Sequence, residues 1–412
     1  MLNSSVHPKE QSILRDLARQ VAEVASQPVM AERRNLWVAH NRLENVRPLI
    51  LFFPEGSWRE LLPDAALACE GAAARSWEWT LRSRLYTAAH FADDTVVENT
   101  WTVPKRITVS GWGMQPRHIA SASPTGAWKF DPVLHDQSDL EKMTFPQVTC
   151  DLQGSALDLE QAQDLFGDIL QVRQKGVSHI SFHLWNIFTE LHGLEPSLWD
   201  LAERPEFVHA AMSFLEEGHR RLIQQYIDLG LLSLNNDDTY HSSGGVGYSD
   251  ELPRPGWETR PIAPADLWAS AESQELQVVS PSMHAEFALQ YEKRLLAPFG
   301  LSGYGCCEDL TRKLKDVCTI PNLRRISISP FANVDQSAEQ LGNRYIFSWK
   351  PQPAHLVGAF DDDFIRKYIQ HTLEATRGCV VEIILKDTHT CENHPERFDR
   401  WSQIARQLVD SL

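Results

Sequence analysis

Arg324-Arg325-Ile326-Ser327-Ile328-Ser329, then Gln336-Ser337-Ala338-Glu339-Gln340-Leu341, then Arg344-Tyr345-Ile346-Phe347-Ser348 read as strand, helix and strand in direct succession. Two strands joined through a helix lie parallel, because the chain must cross back over the sheet before it can add the next strand. The same alternation extends in both directions. Strand 300–304 and helix 309–317 come before it; helix 362–376, strand 379–385 and a final helix 395–412 come after it. Upstream, strand 47–53 ends at Pro54-Glu55-Gly56, with Ser57 placed to cap a short helix. A helix over 157–175, a strand over 180–184, helices to Gly230 and a strand over 231–234 follow. Repeated βα units predict an α/β fold with a parallel sheet, and their number favours a (β/α)8 TIM barrel. No Gly-rich dinucleotide fingerprint follows an early strand, which argues against an open doubly wound sheet.

Residues 1–45 read as an N-terminal helical extension. Ile13, Leu14, Leu17, Val21 and Val24 form one apolar stripe, and Gln27-Pro28 breaks the pattern into two helices. Such an extension suits a cap or a contact between subunits in a homodimer. The barrel is expected over 46–412. After a helix over 64–91 the rhythm is lost between about 92 and 150, which predicts an insertion.

The 412 residues carry 39 basic and 55 acidic side chains, for a net charge of −16. That balance argues against nucleic acid and against anionic membrane surfaces as partners. The N-terminus lacks a basic segment leading into an apolar one, and no apolar run is long enough to span a membrane. A cytoplasmic protein is the expectation. Seven cysteines without dense spacing suit reduced thiols or metal ligands. Cys69, Cys150, Cys318 and Cys379 read as packed thiols.

Residues that directly follow parallel strands gather at one face, and here they are polar. They comprise Glu55; His183 and Trp185; Asn235, Asn236, Asp237, Asp238 and His241; Cys306, Cys307 and Glu308; Trp349 and Lys350; and Asp387, His389 and Cys391. Thiolate is a soft ligand that suits zinc, so Cys306, Cys307, Glu308 and Cys391 are the candidate metal ligands. In an extended segment adjacent cysteines point to opposite faces, so only one of Cys306 and Cys307 is expected to ligate. His389, Asp387 and Lys350 are candidate catalytic groups. Glu55, His183, Trp185, Asp237, His241 and Trp349 are candidate substrate contacts.

On Tyr304-Gly305-Cys306, Thr390-Cys391-Glu392 and Ser348-Trp349-Lys350-Pro351-Gln352-Pro353, the chain resembles the uroporphyrinogen decarboxylase-like superfamily. The nearest branch is the zinc-dependent methyltransferases that exchange methyl groups with corrinoid proteins, similar in mechanism to cobalamin-independent methionine synthase. The resemblance covers residues from about 47 to the C-terminus and is clearest after 280. It implies a zinc ion, a corrinoid (cobalamin) carried by a partner protein, and a small methyl donor or acceptor; the Trp-rich strand ends suggest an apolar or aromatic one. Tyr304 stands where that branch has histidine, leaving Cys307, Glu308 and His389 as alternative donors. Pro54-Glu55-Gly56-Ser57-Trp58 replaces the Arg-rich segment with which porphyrin decarboxylases grip their substrate. Two other readings are a metal-free decarboxylase or lyase using Asp237 or Asp238 with Lys350, and an inactive barrel that binds a corrinoid-system partner.

Overall fold

Seven strands pair into one sheet in the computed structural model, which describes residues 6–119, 129–241 and 244–412. In chain order they are β1 (Leu49–Phe52), β2 (Ser181–Phe182), β3 (Trp268–Ala271), β4 (Leu301–Tyr304), β5 (Leu323–Ile328), β6 (Ile346–Trp349) and β7 (Val380–Leu385). Their order across the sheet is β1-β7-β6-β5-β4-β3-β2, and every neighbouring pair is parallel. Strands β2 to β7 therefore stand in sequence order, each next to the strand before it, as the βα rhythm requires. Among the described residues no pairing joins β1 to β2. The expected strand over 231–234 is only a bridge between Leu232 and Val177.

Side chains on β1, β3, β4, β6 and β7 are buried throughout, as in a parallel sheet covered on both faces. Two helices, α1 (Pro8–Ala25) and α2 (Pro28–Asn41), meet at the expected break, and Leu14, Leu17 and Val21 of α1 are buried. The region expected to be an insertion contains Arg106–Val109 paired antiparallel with Val148–Asp151. Residues 120–128 of that region lie outside the described residues.

Three expectations are corrected. The helix expected over 157–175 is Leu152–Phe166, after which Gln171–Lys175 is a strand parallel to Thr100–Pro104. The strand expected over 180–184 shrinks to β2, because Leu184 begins a helix running to His192. Strand β3 was not anticipated: Trp268-Ala269-Ser270-Ala271 lacks the β-branched run by which buried strands are recognised.

Entry into β3 is set by Asp266, which is fully buried. Its carboxylate accepts from both Arg260 guanidinium nitrogens, at 2.5 and 2.6 Å, and from the backbone N–H groups of Ala263 and Arg254. The Arg260 hydrogen bonds outweigh burial and hold this carboxyl at about 2, below the ordinary aspartate value. A depressed folded-state pKa contributes stability above the unfolded value of about 4, and that stability is lost as pH falls through the folded value. The difference in urea midpoint between wild type and Asp266→Asn should therefore be full above about pH 4 and vanish as pH drops through 2.

Candidate functional site

The carboxyl ends of β2, β3, β4 and β7 surround a cavity of about 190 Å³. Its polar wall holds His183 after β2, Glu272 after β3, Cys306 after β4 and Lys386 after β7, with His179 and Tyr240 from neighbouring loops. In parallel α/β sheets this is the end at which ligands bind.

His183 Nδ1 and Glu272 Oε1 are 2.5 Å apart, with Glu272 buried and the imidazole partly open to the cavity. Burial opposes a charged imidazolium, but the Glu272 hydrogen bond and charge, helped by Cys306, overcome it and raise His183 above its ordinary value. The carboxylate thus orients the ring, leaving Nε2 for the cavity. Burial likewise opposes the Lys386 ammonium, yet the negative charge around it, that of the adjacent Asp387 carboxylate included, outweighs burial and holds it charged. Asp387 Oδ1 lies 3.3 Å from Lys386 Nζ. Tyr240 keeps its proton, pushed up to about 12 by burial and the nearby negative groups. A base, a fixed cation and a hydroxyl donor thus face one small space with a thiol among them.

Gly305 makes the turn that brings Cys306 there. Its φ is 95°, in the region glycine favours, and an added Cβ would meet Leu310 Cδ1 at 2.7 Å. Because the segment bends, Cys306 and Cys307 do not point to opposite faces: their Sγ atoms are 3.6 Å apart. Cys306 N–H donates to Glu308 Oε2 at 2.8 Å, and Glu308 is buried behind the cavity. Burial and the charge of Glu272 raise the Glu308 carboxyl well above its ordinary value.

The four expected zinc ligands do not form a site as arranged. Cys307 Sγ lies 3.6 Å from Cys306 Sγ and 3.8 Å from Asp387 Oδ2. Cys391 is fully buried and points at Glu60 Oε2, 3.0 Å away, and burial together with this carboxylate pushes its thiol up to about 12. Among the described residues no three His, Cys, Asp or Glu side chains are grouped as a metal ion needs. Tyr304, at the position of the missing histidine, is buried in a chain of hydrogen bonds from His284 Nε2 to its hydroxyl and on to Glu292. Elemental mass spectrometry should accordingly find the same zinc content in Cys391→Ser as in wild type; loss of stoichiometric zinc in the variant would restore Cys391 as a ligand.

Other expected residues are placed elsewhere. Trp185 is a core side chain on the helix after β2, its indole N–H donating to the Phe287 carbonyl. His241 is buried, stacked on Trp268 and bonded to the Asn235 carbonyl, and burial lowers it to about 3. Asp237 pairs with Lys175 at 2.5 Å. Trp349 packs on Tyr368 inside the core. Lys350 is buried, donates to Ser348, and is lowered to about 7 by burial. None of these lines the strand-end cavity, so the lyase reading loses Asp237 and Lys350 as partners. Glu55, at φ 46°, sits near Asp387 and Lys386 and is raised by burial and the Asp387 charge. His389 is exposed, and its backbone packs against Gly56.

Glu272, Tyr240 and Lys386 were missed. Glu272 went with the unrecognised β3, and Tyr240 lies in a polar loop with no periodicity. Lys386 was visible as the residue directly after an apolar strand, one position before Asp387.

No family model matches this chain, and no curated protein matches it. Among solved structures it is similar to a methyltransferase from Methanosarcina mazei, at 11% identity and a TM-score of 0.49. That match covers 91% of this chain and 98% of that one. A likeness of this size carries no functional argument.

Proposed function

We propose that this chain is a methyltransferase acting on a small substrate in the strand-end cavity, with a corrinoid on a separate protein as the other methyl carrier. The observation that carries the reading is the His183–Glu272 pair facing Cys306 and Lys386 across about 190 Å³. The motifs after β4 and β6 and the Cys391 segment supply the methyl-transfer class through the family they resemble.

A space of that volume admits a compact substrate and excludes a corrin macrocycle, so the transfer would take place at its mouth. The corrinoid would supply a methyl group activated by its bond to cobalt. Lys386 holds an acidic group of the acceptor and Tyr240 donates a hydrogen bond to it. His183 Nε2, with the ring fixed by Glu272, removes the proton from the acceptor's thiol or other X–H group. The freed electron pair forms the new bond to the methyl carbon, while the old bond to that carbon breaks and leaves its pair with the donor. Orientation of the acceptor by fixed charges is the chief contribution of the protein. No zinc step is assigned, because among the described residues no three such side chains are grouped as a metal ion needs.

The test mixes the purified protein with a methylated corrinoid protein and a series of small thiols under reducing conditions, following the cobalt absorbance. Demethylation that depends on one thiol supports the reading; an unchanged spectrum with every acceptor overturns it.

A further inference from the structure

A second cleft lies between α2, the helix Ala72–His90 and the paired strands Thr100–Pro104 and Gln171–Lys175. It has two compartments whose walls share Arg84, Glu98, Asp238 and Tyr248. The inner one, about 210 Å³, is lined chiefly by Trp37, Leu51, Phe53, Val96 and Val246. The outer one, about 410 Å³, is polar and includes Arg34, Lys175 and Asp237. Phe53 meets Tyr240 edge to face at 5.1 Å, and Tyr240 lines the strand-end cavity, so these two rings stand between the two spaces.

Most charges of the cleft are already matched. Glu98 accepts from Arg34 at 2.9 Å and from the Tyr248 hydroxyl at 2.6 Å, while Asp237 is paired with Lys175. Arg173, in the polar compartment, donates to the Gln171 side-chain oxygen at 2.7 Å, whereas Arg84 and Asp238 border both compartments. Arg84 gives one N–H to the Thr100 carbonyl, at 2.7 Å, and lies over the Trp101 ring; among the described residues no carboxylate is in ion-pair contact with it. Asp238 has neither a cation in contact nor a hydrogen bond to its side chain among the described residues. The two opposite charges border the apolar compartment together.

Asp238 is exposed and Arg84 half-buried, and the two act on each other through space without an ion-pair contact, so a ligand seated between them could contact both. A ligand that is only an anion would meet Arg84 but be repelled by Asp238, and one that is only a cation would meet the reverse. A ligand carrying both charges next to an apolar body satisfies the whole arrangement. We propose that this cleft binds a free α-amino acid with an apolar side chain. Its carboxylate sits on Arg84, its ammonium on Asp238, and its side chain enters the compartment lined by Trp37, Leu51 and Phe53. This site is separate from the methyl-transfer cavity and does not depend on that reading.

Isothermal titration calorimetry of the full chain tests it, with L-leucine and L-phenylalanine as probes. The controls are 4-methylpentanoate, which lacks the ammonium, and 3-methylbutylamine, which lacks the carboxylate. One amino acid should bind with a stoichiometry near one, and each control should bind roughly tenfold more weakly or worse, as loss of a charged hydrogen bond requires. Arg84→Gln should erase the preference over the amine, and Asp238→Asn the preference over the acid. Cys306→Ala, in the other cavity, should leave the affinity unchanged. Absence of heat from both amino acids at millimolar concentration overturns the proposal. So does a control that binds as well as the amino acid, or binding that disappears in Cys306→Ala. The comparison of probes on the wild type decides the matter even if a variant fails to fold.

Discussion

Replacing His183 with Asn lowers kcat/KM for methyl transfer by about 10²- to 10⁴-fold, the usual contribution of a positioned general base. Asparagine keeps a polar group beside Glu272 but has no nitrogen able to accept the acceptor's proton. The wild-type rate should rise with pH through a midpoint above the ordinary histidine value of about 6.5, because the neutral imidazole is the working form and Glu272 raises the pKa of the ring. Glu272→Gln separates orientation from charge. It removes the negative partner, so the rising limb moves to lower pH while the plateau falls. A loss of rate with no movement of that limb would remove Glu272 from this role. Unchanged turnover in His183→Asn would remove the base altogether.

The largest stability effect is expected at Glu382→Gln, with a loss of about 3–5 kcal/mol in urea unfolding, as when one partner of a buried ion pair is removed. Glu382 on β7 is fully buried. It accepts from Arg325 Nε at 2.8 Å, lies 3.2 Å from His40 Nε2, and takes the Ser348 hydroxyl. Burial opposes its charge, but Arg325, His40 and Lys350 together hold its carboxyl far below the usual range. Arg325 on β5 is equally buried; it also donates to the Asn41 side chain and the Val246 carbonyl and lies over the Trp268 ring. Without Glu382 a guanidinium remains in the interior with no counter-charge. The double variant Arg325→Leu/Glu382→Leu should be less destabilised than the single one, since it removes both charges at once. A single-variant loss below about 1 kcal/mol would mean that water reaches this pair.

Five strands of the sheet, β1 and β4 to β7, were legible in the sequence as extended segments that alternate with helical ones. Residues 323–349 alone establish parallel pairing. What escaped was compositionally plain: β3 combines a tryptophan with two alanines and a serine. The strand over 180–184 was expected but is two residues long, so that His183 follows it directly. Of the residues that line the cavity, His183 and Cys306 were recognised at the ends of expected strands, whereas Glu272 required a strand that pattern reasoning could not find. The candidate zinc ligands lie apart for a different reason. Sequence can say that Cys391 follows a strand, but not that Glu60, brought in from after the first strand, takes up its thiol. Nor can spacing reveal that Gly305 turns two adjacent cysteines to the same side.

Asn41 and His40 close α2, near the start of the chain, yet their partners lie on β5 and β7. The separation between His40 and Glu382 is 342 residues. During synthesis α1 and α2 leave the ribosome long before the strand that anchors them, and β1 must wait equally long for β7, the strand beside it in the sheet. Contacts between distant segments form late and slow the folding of the whole chain. Helix α2 and strand β1 are thus held unfinished until β7 has been made, and a nascent chain stalled before residue 380 would expose the apolar edge of β1 to any chaperone within reach.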